Sequence, residues 1–151
     1  MSSASLGGPA YDRLPRPDWA GTTTITSAVA DLDARTWAEA IFDVDGLGPV
    51  GRVVMAARDV VARTLGIPPG DPSMLAVSAV EDGEAVIDTD DRHLRFVATV
   101  ATDPARALVH VVTLVSFKGW RGRLYFVPVR FLHDPITRRM MEKASRRLQL
   151  R

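Results

Sequence analysis

The most apolar stretch of the chain, residues 107–117, reads Ala-Leu-Val-His-Val-Val-Thr-Leu-Val-Ser-Phe. A strand of this hydrophobicity has to be buried on most of both faces, so the pattern predicts an interior strand of a sheet. Residues 93–102 alternate between apolar and polar positions, which predicts a strand with one wet face. Residues 74–80 and 84–88 flank an Asp-Gly pair that suits a tight hairpin turn. Together these stretches predict an antiparallel meander.

The first part of the chain predicts a tail, a strand and two helices. Residues 1–20 hold several Gly and Pro without periodicity, so we expect a flexible N-terminal tail before a single domain over residues 21–151. The β-branched residues 22–29 predict the first strand. Asp31 or Asp33 would cap one helix, and Pro49 would open a second that ends at Gly66. The predicted buried positions are Ala34, Trp37, Ala38, Ile41 and Phe42 in the first helix and Val50, Val53, Val54, Ala57, Val61 and Leu65 in the second.

The segment after the apolar strand allows two interpretations. As a strand, residues 124–127 would form a short apolar run. As a helix it contains Pro128, which costs about 3 kcal/mol or forces a kink. We favour a helix that is kinked near Pro128 and capped again by Asp134 before Pro135. The predicted buried side is then Trp120, Leu124, Val127, Phe131 and Leu132, followed by Ile136, Met140, Ala144 and Leu148.

Composition is that of an ordinary globular domain, with 46% apolar and 25% charged residues, and 151 residues suffice for one core. The absence of cysteine excludes disulfides and thiolate chemistry and fits a reducing cytoplasm, where we expect the protein. The N-terminus has neither the basic start nor the apolar run of a signal peptide. No stretch reaches the roughly 20 apolar residues of a membrane span, so we expect no membrane partner.

The net charge of +1 hides an asymmetry along the chain. Residues 1–117 carry 9 basic and 16 acidic side chains, whereas residues 118–151 carry 10 and 2. We therefore expect the last helix to lie close to acidic turns or to project as a basic ridge. Nucleic acid is not an expected partner, because the acidic remainder would oppose it and aromatic residues are sparse among the basic ones.

A strand, two helices, a meander and a long C-terminal helix is the element order of the START-like (SRPBCC, helix-grip) proteins. More specifically, three pieces resemble an uncharacterised bacterial domain-of-unknown-function family of this kind: Ala-Arg-Asp at 57–59 with Leu-Gly-Ile at 65–67, Asp-Arg-His-Leu-Arg-Phe at 91–96, and Gly-Arg-Leu-Tyr-Phe at 122–126 with Phe-Leu-His at 131–133. The resemblance covers roughly residues 20–148 and implies an α+β helix-grip fold, in which an antiparallel sheet wraps a long C-terminal helix. Members also occur fused behind short-chain-dehydrogenase-like domains. Phe131, where the family usually has proline, and Pro135 depart from its pattern.

A ligand of such a fold lies between the sheet and the last helix. The alternation and the helical spacing select the residues that would line this cavity, which are Leu94, Phe96, Val111, Thr113, Val115, Leu124 and Tyr125. Arg121 and Arg123 would hold a carboxylate or phosphate at the mouth or, as the alternative, pair with the acidic turns of the meander. A drug-sized ligand needs about 300 Å³. If side chains fill this space, an interaction module is favoured instead.

Other chemistry is sparse. His93, His110 and His133 lie on different predicted elements without metal-site spacing. His110 is the best candidate for an internal acid or base, with a hydrogen-bonded structural histidine as the alternative. The acidic residues of the meander turns lack the pattern of a calcium loop; they are Glu81, Asp82, Glu84, Asp88, Asp90 and Asp91. We assign no metal ligand, cofactor or catalytic residue.

Two functions remain open. The first is the binding of a small apolar or amphipathic molecule, with cyclase- or lyase-type chemistry as an option. The second is a non-catalytic interaction module that uses the basic C-terminal helix or the outer face of the sheet. On that outer face the apolar strand carries Leu108, His110, Val112 and Leu114. We expect this patch to be covered, most simply by a second copy in a homodimer, with the N-terminal tail as the alternative cover.

Overall fold

A computed structural model of the chain describes residues 5–43, 48–66 and 75–151. The helices and strands in these ranges are, in chain order, α1 (Gly8–Arg13), β1 (Trp19–Thr26), α2 (Ala34–Ile41), α3 (Gly48–Thr64), β2 (Ala79–Glu81), β3 (Glu84–Asp90), β4 (Leu94–Asp103), β5 (Leu108–Phe117) and α4 (Trp120–Gln149). This is the predicted α+β element order with one addition, the short helix α1.

The strands of the described residues form one antiparallel sheet in the order β1-β5-β4-β3-β2. The predicted interior position of the most apolar strand is confirmed, since β5 pairs with β1 on one side and β4 on the other. The β2–β3 hairpin turns at Asp82 and Gly83, whose φ angles of 51° and 78° are those that an Asp-Gly turn supplies. β2 is shorter than the predicted strand over residues 74–80, of which Met74 lies outside the described residues.

Alternate residues of each strand point to opposite faces of the sheet, and each face has its own core. The helix face packs against α2 and α4 in a core that includes Trp37, Ile41, Val109, Val111 and Met141. The outer face packs against the N-terminal segment in a second cluster of Ala10, Leu14, Val86, Val97, Val112 and Leu114. Both faces of β5 are therefore covered over most of its length, as its hydrophobicity requires.

The N-terminal segment is the cover of the outer face. Residues 8–13, which the sequence predicts as part of a flexible tail, form α1, and β1 begins at Trp19. Ala10 is fully buried, and Arg13 donates hydrogen bonds to Glu81 and Asp88. A helix of two turns that opens with Gly-Pro shows no periodicity in the sequence, so only these contacts fix it. The Val112 and Leu114 part of the apolar patch of β5 is thus covered within the chain, whereas Leu108 and His110 are half-buried.

The caps of the two middle helices follow the sequence. Asp33 caps α2, since its carboxylate accepts the Thr36 N–H at 2.9 Å. Hydrogen bonds from Thr36 also lower the pKa of Asp33. Gly66, just beyond α3, has a φ angle of 69°, which is the left-handed conformation expected of a glycine terminator.

The side of α3 that was predicted to be buried is not the side that the structure buries. Val53 is 70% exposed and Ala57 is exposed too, whereas Ala62, outside the predicted set, is buried. The side chains of Val50 and Val54 lie outside the described ones. The helix contacts α4 through Arg58, whose Nε donates to the Tyr125 hydroxyl at 2.8 Å.

The segment after β5 is helical, and α4 runs through both Pro128 and Pro135 as one element of 30 residues. The predicted new cap at Asp134 is therefore wrong. The Asp134 carboxylate instead accepts a hydrogen bond from the Thr23 hydroxyl of β1 at 2.7 Å. Packing of Met141, Ala144 and Leu148 in the helix-face core holds the helix against the sheet. Such packing can exceed the roughly 3 kcal/mol that an interior proline costs.

Candidate functional site

The cavity residues predicted on the strands all lie on the helix face. Val111, Thr113 and Val115 are buried, and Leu94 and Phe96 are half-buried towards the end of the sheet. Val111 belongs to the packed core beside α2 and α4. At Val111 the predicted lining is thus in contact with core side chains.

The predicted residues on α4 point in different directions. Leu124 is 49% exposed and lies on the side of the helix away from the sheet. Tyr125 is half-buried beside α3, where its hydroxyl accepts the bond from Arg58. Arg123 is exposed, but its guanidinium carbon lies 5.6 Å from the centre of the Phe117 ring on β5. Of the three, Arg123 is the one whose side chain contacts the sheet, at the C-terminal end of β5.

A pocket of about 180 Å³ lies where β1 and β5 meet the first half of α4. We call it the rim pocket, and its lining is Asp18, Trp19, Phe117, Arg123, Phe126, Val127 and Arg130. Three aromatic rings form its wall, since Phe126 packs edge-on against Trp19 at 5.1 Å and tilted against Phe117 at 5.4 Å. The Asp18 carboxylate accepts the Phe117 N–H at 2.8 Å. The pocket thus combines an aromatic wall with two arginines.

Sequence reasoning identified one lining residue of the rim pocket, Arg123. Asp18 and Trp19 were missed because they fall in the predicted tail, and Phe126 because the wrong side of the helix was predicted to face the sheet. Placing the start of β1 three residues earlier would have brought Trp19 onto the helix face opposite Val115.

His133 lies behind the rim pocket on the sheet side of α4. Its ring packs edge-on against Trp19, with the ring centres 4.9 Å apart. Burial lowers the pKa of the His133 imidazole, and the nearby Asp134 carboxylate opposes this effect. His133 is thus a half-buried side chain whose surroundings favour the neutral imidazole.

The outward side of α4 carries an uncovered row of large apolar side chains. We call it the outer stripe: Trp120, Leu124, Val127 and Phe131, which follow one another at the spacing of a single helix side. Their exposed fractions are 66%, 49%, 46% and 67%. Leu132, on the neighbouring side, is 55% exposed. The positions predicted to be buried are thus those that the structure leaves open.

Arginines border the outer stripe along both edges. Arg121 lies over the Trp120 ring at 5.4 Å, and Arg130 lies over the Phe131 ring at 4.8 Å. Neither of them, nor Arg123, forms an ion pair with a carboxylate of the described residues. Further along, Lys118 contacts Asp90 and Arg147 pairs with Asp43 at 2.9 Å. Part of the basic ridge predicted from the charge asymmetry therefore borders the outer stripe.

A second, more polar concavity lies on the other side of the sheet. This outer groove has a volume of about 590 Å³ and is lined by Leu6, Asp82, Gly83, Glu84, Ala101, Thr102, Asp103, Arg106 and His110. His110, the candidate acid or base, has its Nδ1 atom 2.8 Å from the Thr24 hydroxyl. In the described part of the chain, no group of three or more His, Asp or Glu side chains is placed to hold a metal ion. No described helix is both long and apolar enough to cross a membrane.

The fold and these sites define an α+β domain whose five-stranded antiparallel sheet, counted over the described residues, carries a long C-terminal helix. The chain belongs to a family described as a protein of unknown function (DUF2867), whose model matches residues 14–140. The comparisons with curated proteins and with solved structures found no match. The family supplies neither an activity nor a ligand, so function has to be argued from the sites themselves.

Proposed function

We propose that this domain is an interaction module whose outer stripe binds a protein partner with an apolar surface edged by carboxylates. The observation that carries the proposal is the exposure of four large apolar side chains in register on one side of α4, with Trp120 and Phe131 about two-thirds exposed. Contiguous apolar patches on monomeric proteins commonly mark interaction sites. Tryptophan and arginine are also the residue types that most often dominate binding energy.

The rotation of α4 about its own axis, which decides which of its sides faces the sheet, supports the same conclusion. On the sheet side of α4, Phe126, Thr137, Met141 and Leu148 are buried. The outer stripe lies about a third of a turn away from that side, at about 3.6 residues per turn. Among the described residues the stripe therefore takes no part in the core, although it has the regular spacing of a buried surface.

Charge selects the kind of partner. Arg121, Arg123 and Arg130 border the stripe, and the described part of the chain supplies no carboxylate to pair with them. A second copy that docked by the same stripe would bring these arginines against their counterparts, which is unfavourable. A partner edged by Asp and Glu would pair with them and would be attracted over a distance.

The proposal can be tested with a fluorescent acidic amphipathic peptide of about 15 residues, which has leucines on one face and glutamates elsewhere. We expect it to bind the wild type, and to bind Leu124→Ser/Phe131→Ser about ten-fold or more weakly. Leu150→Ser is the matched control, since Leu150 is 88% exposed beyond the end of α4. A lysine version of the peptide should not bind.

Four results would contradict the proposal. Equal binding by the stripe variant and the Leu150 control would remove the stripe from the contact. A wild-type dimer in analytical ultracentrifugation that Phe131→Ser dissociates would make a second copy the occupant. Binding of anionic lipid vesicles without binding of the acidic peptide would indicate a membrane surface. Equal binding of the lysine peptide would exclude the proposed role of the arginines.

A second candidate function is the binding of a small aromatic carboxylate in the rim pocket. The pocket lies between the sheet and α4, which is where the resemblance to helix-grip proteins places a ligand, and Arg123 and Arg130 line it. Its volume of about 180 Å³ is below the roughly 300 Å³ of drug-sized ligand sites but suits a single ring with a carboxylate. In this reading the sheet and α4 form a small helix-grip domain of the START-like kind.

Benzoate is a suitable probe for this second function. We expect millimolar or tighter binding that Arg123→Gln abolishes and Arg123→Lys partly retains. Arg146→Gln, an exposed position near the other end of α4, is the control. Equal binding by Arg123→Gln and Arg146→Gln would exclude the rim pocket. Native mass spectrometry of freshly purified protein would reveal any small molecule that co-purifies.

A further inference from the structure

The strand register assembles a row of polar side chains across the outer face. His110 of β5 lies opposite Thr24 of β1 on one side and Ala101 of β4 on the other. The β3–β4 register, with Ala85 opposite Val100, places Glu84 next to Ala101. Glu84 and His110 thus lie on either side of the Ala101 methyl group. The small Ala101 side chain leaves space between them, and this space is part of the outer groove.

Glu84 is an unusual acid because it is only 5% exposed and one of its two carboxylate oxygens accepts no hydrogen bond from the described residues. Its Oε1 atom accepts the Gly7 N–H at 3.1 Å. Its Oε2 atom is buried and accepts no hydrogen bond from the described residues. A buried polar atom without a partner is unfavourable by about 1–3 kcal/mol, and more when the group is charged. The Oε2 atom of Glu84, a residue that lines the outer groove, is thus a hydrogen-bond acceptor without a donor among the described residues.

The charges around the groove determine which donor would fit. Arg106 pairs with Asp103 at 2.9 Å, so this arginine is already neutralised. Asp82 and Glu84 have no basic partner among the described ion pairs. The groove therefore presents uncompensated negative charge, which favours a cation and disfavours a carboxylate or phosphate.

We propose that the outer groove binds a small organic cation through a primary ammonium group. The ammonium lies above Ala101 and donates to Oε2 of Glu84, forming the charge-assisted bond that this oxygen lacks. His110 is held by Thr24 through Nδ1, which leaves Nε2 for a polar group of the same ligand. Asp82 attracts the cation from the turn at the end of the groove. This site is on the opposite face of the sheet from α4 and is independent of the function proposed above.

The test uses putrescine as the cation and isothermal titration calorimetry on the full chain. We expect putrescine to bind, and its uncharged analogue 1,4-butanediol and the anion succinate not to bind. Glu84→Gln, which keeps an acceptor for the Gly7 N–H, should weaken putrescine binding about ten-fold or more because the charge-assisted bond is lost. Glu39→Gln is the matched control, since Glu39 is an exposed carboxylate on α2.

A steric variant keeps the test decisive if Glu84→Gln does not fold. Ala101→Val places two methyl groups between Glu84 and His110 without changing any charge, and it should abolish putrescine binding. Ala101→Ser, of nearly the same size as wild type, should retain it. The proposal is overturned if putrescine does not bind at about 10 mM. It is also overturned if putrescine binds Glu84→Gln and Ala101→Val as well as it binds wild type, since binding is then attraction to the acidic surface alone.

Discussion

Gly122 is where the first turn of α4 meets the connection between β3 and β4. A Cβ atom on Gly122 would lie closer than 3.0 Å to the carbonyl oxygen of His93 and 3.2 Å from its carbonyl carbon. The same carbonyl oxygen accepts the Lys118 N–H at 2.9 Å, just before the helix begins. Restoring an ordinary van der Waals contact would move the helix by roughly 1 Å, since carbon atoms prefer about 3.5–4.0 Å. We therefore predict that Gly122→Ala destabilises the domain.

The magnitude follows from opposing effects. In a free helix, replacing glycine by alanine stabilises by about 1 kcal/mol. Overpacking against a backbone atom costs about 1–3 kcal/mol, and weakening the bond between Lys118 and His93 costs about 1 kcal/mol more. The free energy of unfolding should therefore fall by about 1–3 kcal/mol. For a chain of this size, this corresponds to a Tm lower by roughly 3–9 °C.

Circular dichroism melts and urea titrations of the wild type, Gly122→Ala and Gly8→Ala measure this difference. Gly8 is the matched control, because a Cβ atom there would meet the Ser5 hydroxyl oxygen at an ordinary 3.5 Å. We expect Gly8→Ala to stay within about 0.5 kcal/mol of wild type. If Gly122→Ala matches or exceeds the stability of wild type, α4 can withdraw from the β3–β4 connection without loss, and the reasoning fails.

Three further predictions concern a core methionine, a helix cap and a half-buried histidine. Met141→Ala should lower the free energy of unfolding in urea by about 2–5 kcal/mol, because Met141 is fully buried in the helix-face core; a loss no larger than that of Leu150→Ala would contradict this. Asp33→Ala should cost about 0.5–2 kcal/mol through the lost cap of α2, and Asp33→Asn should recover most of it. Burial lowers the pKa of His133 in the folded state, so as the pH falls its imidazole is protonated in the unfolded chain before it is protonated in the folded one. Stability should be complete above about pH 6.5 and fall as the pH drops from there towards the lower folded pKa; His133→Phe should flatten this slope, and an unchanged slope would refute the assignment.

The sheet was predictable because its signals are local. Alternation in β4, the continuous apolar run of β5 and the Asp-Gly turn each need only a few neighbouring residues. The cap of α2 is local in the same way. The N-terminal helix α1 was not predictable, because its order depends on the burial of Ala10 and on the contacts of Arg13 with Glu81 and Asp88, which lie far along the chain.

The orientation of α4 was predictable in its second half and not in its first. Ala144 and Leu148 are buried as the pattern indicates. In the first half the most apolar side of the helix faces outward, and the sheet side is formed by Phe126, His133 and the small Gly122. Periodicity identifies a side that favours burial, but it does not say which surface buries it. Because the wrong side of α4 was predicted to face the sheet, the rim pocket, of which Phe126 forms part of the wall, was not predicted.

The outer stripe also has a definite end, which limits what can dock on it. One turn beyond Phe131 the same side of α4 continues with Asp134, Arg138 and Glu142, which are exposed and charged. The apolar part of this side therefore spans residues 120–131, which is about 18 Å of helix at about 1.5 Å per residue. A partner helix of about three turns would cover it, and a longer one would meet charged residues at that end. Because Asp134 is tied to Thr23 of β1, the boundary is fixed by the fold and not by a mobile side chain.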